Sequence, residues 1–189
     1  MTFTDDLRGL FEQALDDATT QVARAASADL GRPTPCTDWD LGALVGHMVG
    51  QNEGFAAAVS AGDAPLSAYA APALRQDEVR PRWDESADRL RAAFQDAPPD
   101  RRLRLAEFDR EVSVSVALGM QVVDNAVHAW DVATALGEHY RPAEAVAQVV
   151  LESARQIAGR PGGTPGVFAP PQEVSGTDPW LEALALLGR

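Results

Sequence analysis

The chain has 189 residues and a single cysteine, Cys36. This length suits one domain, spanning 1–189, whose core needs neither a disulfide nor a structural metal. The 28 acidic and 16 basic residues give a net charge of −12, which disfavours nucleic acid and anionic membrane surfaces as partners. We find no signal peptide and no apolar run long enough to cross a bilayer, and therefore expect a soluble protein of the reducing cytoplasm.

Apolar side chains in the first part of the chain recur every three or four residues, the spacing that is typical of helices. The spacing predicts a first helix over about residues 4–28. A second helix is predicted to run from Leu41 until Gly62, because glycine readily ends a helix. Thr37, with Asp40 three residues later, is the expected N-cap of this second helix.

The pattern changes twice between the third and fourth predicted helices. The third helix has a start obscured by Pro81 and is expected to end before Pro98. Apolar and polar residues then alternate within 101–116, which predicts short strands or an extended connection. Helical spacing returns over about 114–136 and stops at Gly137.

Two further helices are predicted near the end of the sequence. Pro142 is expected in the first turn of a helix that continues through Ile157. The segment 159–175 is rich in glycine and proline, and we expect it to be irregular. A short helix follows at 177–188, with Trp180, Leu181, Leu184 and Leu187 expected on one side. The pattern as a whole predicts a mostly helical four-helix bundle, with 141–189 as a C-terminal helical extension.

Three side chains in the second and fourth predicted helices are candidate metal ligands. His47 lies among apolar residues, which favours an inward orientation. Asp124 and His128 are one helical turn apart, so a single helix presents both to one point. Two imidazoles and one carboxylate leave coordination positions for water or substrate, as in catalytic zinc sites. We interpret His47, Asp124 and His128 as ligands of one divalent ion.

The alternative to metal binding is that the same residues have ordinary structural roles. An inward histidine is usually a hydrogen-bonded core residue, and an Asp–His pair one turn apart is commonly a surface pair. Asp131, three residues after His128, is the candidate catalytic residue: it orients a ligand, receives a proton or binds the ion, and we favour the first. His139 is expected to be exposed. Cys36 precedes a helix without a partner base in the sequence, and we interpret it as a partly buried, inert thiol.

Several short stretches resemble a known family. TPCTDWDL at 34–41, followed by LVGHMV at 44–49, resembles the opening of the actinobacterial relatives of the mycothiol-dependent maleylpyruvate isomerase metal-binding domain, in the DinB-like superfamily. DNAVHAWDVA at 124–133 resembles the second signature of that group. GVFAPP at 166–171 and LALLGR at 184–189 are similar to its ending.

The resemblance implies a DinB-like four-helix bundle that holds zinc or nickel through His47, Asp124 and His128. It also implies a small-molecule thiol such as mycothiol, activated beside the ion, and a small electrophile. A metal-dependent thiol transferase or isomerase is our first hypothesis. A metal-ordered ligand-binding module without catalysis and a metal-activated hydrolase are the alternatives. The sequence allows a homodimer and does not indicate which residues bind the thiol.

Overall fold

Helices dominate the architecture, as the apolar spacing predicts. The computed structural model describes residues 3–159, 169–173 and 176–189, with side chains from Asp6 onward. In chain order the elements are α1 (Phe3–Ala25), α2 (Leu41–Ala61), a 3₁₀ turn (Leu66–Tyr69), α3 (Val79–Gln95), β1 (Arg102–Leu105), a 3₁₀ turn (Ala106–Phe108), β2 (Arg110–Ser113), α4 (Val114–Leu136), α5 (Glu144–Ala158) and α6 (Pro179–Leu186).

The four long helices α1 to α4 form the predicted bundle. Helix α1 packs against α3 and α4, and α2 packs against the same two helices from the other side. Large apolar side chains such as Phe11, Trp83 and Phe94 fill the interior and are almost fully buried. Their burial supplies the main driving force for this packing. Within the described ranges, no helix combines the length and apolar character that crossing a membrane would require.

Glycines end the helices α2 and α4 at the predicted positions, and a serine caps the start of α4. Gly62 and Gly137 follow α2 and α4 with φ of 88° and 76°, a left-handed conformation that glycine adopts without strain. The Ser113 hydroxyl accepts a hydrogen bond from the Val116 amide at the start of α4. Residues 102–113 form an antiparallel hairpin with Leu103 opposite Val112, which confirms the predicted extended segment.

The predicted N-cap of α2 is wrong. Asp40, not Thr37, caps the helix, and its carboxylate accepts a hydrogen bond from the Ala43 amide at 2.8 Å. The Trp39 amide donates to the Cys36 carbonyl at 2.8 Å, so the chain makes a turn before the helix begins. Thr37 therefore lies within that turn and is too early to cap α2.

The last two helices pack on the outside of the bundle. Helix α5 contacts α1, α4 and α6. It begins at Glu144, so the prediction that Pro142 lies in its first turn is wrong; the N-cap is Ala143, which has no side-chain acceptor. Most of the irregular segment predicted at 159–175 falls outside the described residues.

Helix α6 is short and has one buried side. The Asp178 carboxylate caps it by accepting hydrogen bonds from the Trp180 and Leu181 amides. Trp180, Leu184 and Leu187 are buried as predicted, but Leu181 is 54% exposed. Residues 180, 184 and 187 follow the i, i+4, i+7 spacing of one helical face, and Leu181 projects from the adjacent face.

Three glycines of α2 let the segment 69–74 pack directly onto the helix. A Cβ built on Gly46 would collide with the Pro72 carbonyl oxygen, and one on Gly50 would lie 2.7 Å from the Tyr69 carbonyl oxygen. A Cβ on Gly54 would collide with the Tyr69 ring. The absence of side chains on this face thus places the segment 69–74 against the second helix.

Gly46→Ala should lower the free energy of unfolding by about 1–3 kcal/mol, because the Pro72 backbone must move to admit the methyl group. Gly119 in α4 is the matched control, since nothing lies within 4 Å of a Cβ built there. Gly119→Ala should raise stability by up to about 1 kcal/mol through helix propensity alone. Denaturant unfolding of both variants measures the difference; equal shifts would contradict the tight packing at Gly46.

Candidate metal centre

The structure brings together the three predicted metal ligands, which come from α2 and α4. One ligand atom from each of His47, Asp124 and His128 lies within 4.8 Å of the others. Nε2 of His128 is 3.5 Å from Oδ1 of Asp124, and the two imidazole rings are 5.1 Å apart at 79°. His128 is buried, whereas His47 and Asp124 are half-buried. The cluster is therefore accessible from one side.

The loop before α2 helps to orient His47. The Trp39 ring lies 4.4 Å from the His47 ring at an interplanar angle of 31°. The Thr34 hydroxyl donates to the Trp39 carbonyl at 2.8 Å and accepts from the Cys36 amide at 3.1 Å. These bonds hold the loop in one conformation, so Trp39 restricts the rotation of His47.

The three side chains fit a divalent ion chemically. Two imidazole nitrogens and one carboxylate oxygen are ligands that zinc and nickel accept, and three protein ligands leave further positions open. The side chains come from two rigid helices and not from a mobile loop, which favours a preformed site.

Opposite pKa shifts distinguish the two histidines. Burial, followed by the nearby charge of His128, lowers the pKa of His47 to about 4. Burial opposes the charged form of His128 as well, but Asp124, Asp131 and Cys36 outweigh it and raise the pKa of His128 to about 10. At neutral pH, His47 thus has a free lone pair, whereas His128 carries a proton that a metal ion must displace.

Asp131 lies on the other side of the His128 ring from Asp124. Its Oδ2 is 3.0 Å from Nδ1 of His128, and its side chain is completely buried. Burial alone would raise the pKa of Asp131. The hydrogen bonds with His128 and Arg189 outweigh this effect, so the pKa is lowered overall and the carboxylate stays charged. A carboxylate bound to Nδ1 leaves Nε2 of His128 to face His47 and Asp124, the arrangement commonly found behind metal-binding histidines.

Asp131 has two neighbours, Arg189 and Cys36, that the sequence did not connect with it. Arg189 donates from Nε to Oδ1 of Asp131 at 2.9 Å and from Nη2 to Oδ2 at 3.0 Å. Cys36 Sγ lies 3.2 Å from Asp131 Oδ2 and 3.1 Å from Arg189 Nη2. Cys36 is partly buried as expected, and the fold gives it the neighbouring carboxylate that the sequence did not reveal. Cys36 and Arg189 are 153 positions apart, so no local spacing connects them.

A second acidic group lies near the cluster on the hairpin. Gln51 donates from Nε2 to both carboxylate oxygens of Glu107, at 3.0 and 2.9 Å. Burial raises the pKa of Glu107; the bond from Gln51 opposes the rise, and the charge of Asp124 adds to it. Glu107 itself is exposed, and it is the acidic residue of the hairpin whose charge interacts with Asp124, a neighbour that the sequence did not indicate. His139 is exposed, as predicted.

A cleft of about 520 Å³ opens beside His47. Trp39, His47 and Asp40 line it together with the segment 71–74. Of the described residues that line the cleft, Asp40 and His47 are ionisable and the others are mainly apolar. The volume lies in the range of small-molecule sites, which run from about 300 to 1,000 Å³.

Comparison with known proteins places this chain among related sequences and folds. Uncharacterized proteins from two Mycobacterium tuberculosis strains, CDC 1551 / Oshkosh and ATCC 25618 / H37Rv, are each 29% identical over 148 residues, covering 78% of this chain and 77% of theirs. The crystal structure of the mycothiol-dependent maleylpyruvate isomerase has a TM-score of 0.62 at 15% identity, and that of a point mutant has 0.64 at 16%. Both comparisons cover 81% of this chain and 70% of the other, and they show a shared fold.

The family assignment rests on a segment that contains α2 and most of α4, the two helices of the cluster. Residues 11–133 match the family described as the mycothiol maleylpyruvate isomerase N-terminal domain. The match includes His47, Asp124, His128 and Asp131, but not Arg189. The extent of this match shows that the chain belongs to the mycothiol maleylpyruvate isomerase N-terminal domain family.

Proposed function

We propose that this protein binds a divalent ion, zinc or nickel, through His47, Asp124 and His128, and uses it in the transfer of a small-molecule thiol or in a thiol-dependent isomerisation. The observation that carries the proposal is the convergence of these three side chains beside an open cleft. Membership in a family named for a mycothiol-dependent enzyme supports mycothiol as the thiol.

The side chains around the cluster have distinct roles in this proposal. When bound, the ion would supply a positive charge that stabilises the thiolate form of a thiol beside it. His47 offers its lone pair at neutral pH, and Asp124 contributes a negative charge. Asp131 holds the His128 ring in the orientation that directs Nε2 toward the cluster. The mainly apolar cleft beside Trp39 admits the electrophile.

The proposal is tested by metal analysis of the purified protein, followed by turnover assays with mycothiol and a panel of small electrophiles. We expect one equivalent of metal and metal-dependent consumption of an electrophile in the presence of the thiol. The His47→Ala variant is the control and should be inactive. Thiol binding by the metal-loaded protein with no electrophile consumed would support a binding module. Turnover without any thiol would support metal-activated hydrolysis.

Asp131→Asn should lower metal affinity about 10- to 100-fold without abolishing it, as is typical when a carboxylate behind a metal-binding histidine is lost. The amide keeps the shape of Asp131 but removes the charge that faces His128 and Arg189. Metal titration with a competing chelator measures the affinity, and far-UV circular dichroism checks the fold. A loss well beyond about 100-fold, equal to that caused by His47→Ala, would make Asp131 a ligand itself.

A further inference from the structure

A second set of potential metal ligands shares His128 with the first. Cys36 Sγ, an Asp131 carboxylate oxygen and a His128 ring nitrogen lie within 4.8 Å of one another. Thiolate, carboxylate and imidazole are the ligand types from which zinc sites are built, and a thiolate makes a site more attractive to soft ions. The imidazole thus lies between two sets of donors, one containing His47 and Asp124 and the other containing Cys36 and Asp131.

The guanidinium group of Arg189 lies inside this second set. It donates to both carboxylate oxygens of Asp131 at 2.9 and 3.0 Å and to Cys36 Sγ at 3.1 Å. Its remaining nitrogen donates to the Leu187 carbonyl at 3.1 Å. The Arg189 side chain is 6% exposed and that of Asp131 is fully buried. Every nitrogen of the guanidinium therefore has a partner, and the negative charge of Asp131 is already matched.

We propose that Arg189 is an internal cation that closes the second donor set to metal and so confines the ion to His47, Asp124 and His128. This inference rests on the metal site of the proposed function. A divalent ion bound by Cys36 and Asp131 would have to displace the guanidinium or lie against its positive charge. The planar fork of arginine suits this task because it engages both carboxylate oxygens and the sulfur at once.

The closure has a chemical consequence for the proposed site. A protein thiolate on the ion would add a negative charge and take a coordination position that a substrate thiol needs. By holding Cys36 and Asp131 away from the ion, Arg189 keeps the ligand set to nitrogen and oxygen. The protein then contributes no sulfur ligand, and the position beside the cleft is left for a thiol from solution.

Cobalt(II) is the probe for the test, because cobalt–thiolate bonds give an intense near-ultraviolet charge-transfer band that nitrogen and oxygen ligands lack. Native protein should bind Co²⁺ without this band. Arg189→Gln removes the cation, and the band should appear as Cys36 loses its proton to solvent and binds the ion. The double variant Arg189→Gln/Cys36→Ser should lose the band again. Bound cobalt without a band in Arg189→Gln would overturn the role of Arg189.

Cys36→Ser in the otherwise native chain tests the same inference while keeping both residues of the Arg189–Asp131 pair. Its cobalt spectrum should match that of the native protein, and its Co²⁺ affinity should stay within about twofold. A changed spectrum, or a thiolate band in the native protein, would show that Cys36 is already a ligand and would overturn the closure.

The two proposals fail in different ways. The proposed metal site fails if native protein takes up no Co²⁺ and His47→Ala does not change Co²⁺ binding. The role of Arg189 is judged separately, by the thiolate band in Arg189→Gln. Far-UV circular dichroism and thermal melting with and without Co²⁺ establish that each variant is folded. In Arg189→Gln, added Co²⁺ should raise the melting temperature, because the ion replaces the missing positive charge beside Asp131.

Discussion

Replacing His128 by alanine should weaken metal binding by at least about 3 kcal/mol, roughly a hundredfold or more, and leave a folded helical bundle. His128 supplies one of the three proposed ligands. The large apolar core, which contains Phe11, Trp83 and Phe94, is big enough that we expect it to fold without an ion. Elemental analysis after dialysis and titration against a chelator measure the loss. Far-UV circular dichroism reports the helical content.

Two further variants complete this experiment. His47→Ala should cause a loss of similar size, because His47 is on the opposite helix but within the same cluster. His139→Ala is the matched control, since it removes an exposed histidine away from the cluster and should leave the metal content unchanged. Unfolding of both metal-free variants would instead mean that the ion is structural.

Metal affinity should rise about tenfold per pH unit between roughly pH 6 and 9, a total of about 1,000-fold. The ion competes with one proton on His128, whose pKa is raised to about 10. His47, with a pKa lowered to about 4, is already neutral over this range and adds no further dependence. Binding near pH 7 should therefore release about one proton per ion.

Calorimetry of metal binding in buffers of different ionisation enthalpy measures the released proton as a buffer-dependent heat. Asp131→Asn is an informative comparison, because loss of that carboxylate should lower the pKa of His128 and reduce the pH dependence. A heat that is independent of the buffer at pH 7 would contradict the raised pKa of His128 in the metal-free protein.

The metal-free protein should show the opposite trend in stability. The pKa of His128 is higher in the folded state, about 10, than its ordinary value of 6.5. Its protonation therefore stabilises the fold fully below pH 6.5, and this contribution is lost as the pH rises through 10. The pKa of His47 is lower in the folded state, about 4, so its protonation destabilises the fold as the pH falls below 6.5. Thermal melts of the metal-free protein across pH measure both effects.

The main elements of the fold were predictable because their signals are local. Gly62 and Gly137 end helices in the left-handed conformation that glycine favours, and alternation within 101–116 marks the hairpin. The misplaced cap at Thr37 has a different origin. A turn held by the Trp39 amide and the Cys36 carbonyl delays the start of α2, and residue spacing carries no sign of that bond.

The site was predictable only in part, because only some of its residues are connected by local spacing. Asp124 and His128 share one helix, and His47 lies in a strongly apolar stretch, so spacing and neighbours indicated their orientation. Cys36 and Arg189 meet Asp131 only through tertiary packing, across sequence separations of 95 and 58 residues. The resemblance at 184–189 identified the segment that contains Arg189 but assigned no role to that residue.

Because the glycines of α2 contact mainly backbone atoms, the position of the cleft wall does not depend on the side chains that line the cleft. Main-chain contact at Gly46 and Gly50 sets where residues 69–72 lie, and these residues lead into the cleft wall at 71–74 irrespective of the side chains that the wall carries. Ala71, Ala73 and Leu74 all line the cleft. Exchanging these three side chains would therefore change the size of the cleft without altering His47, Asp124 or His128.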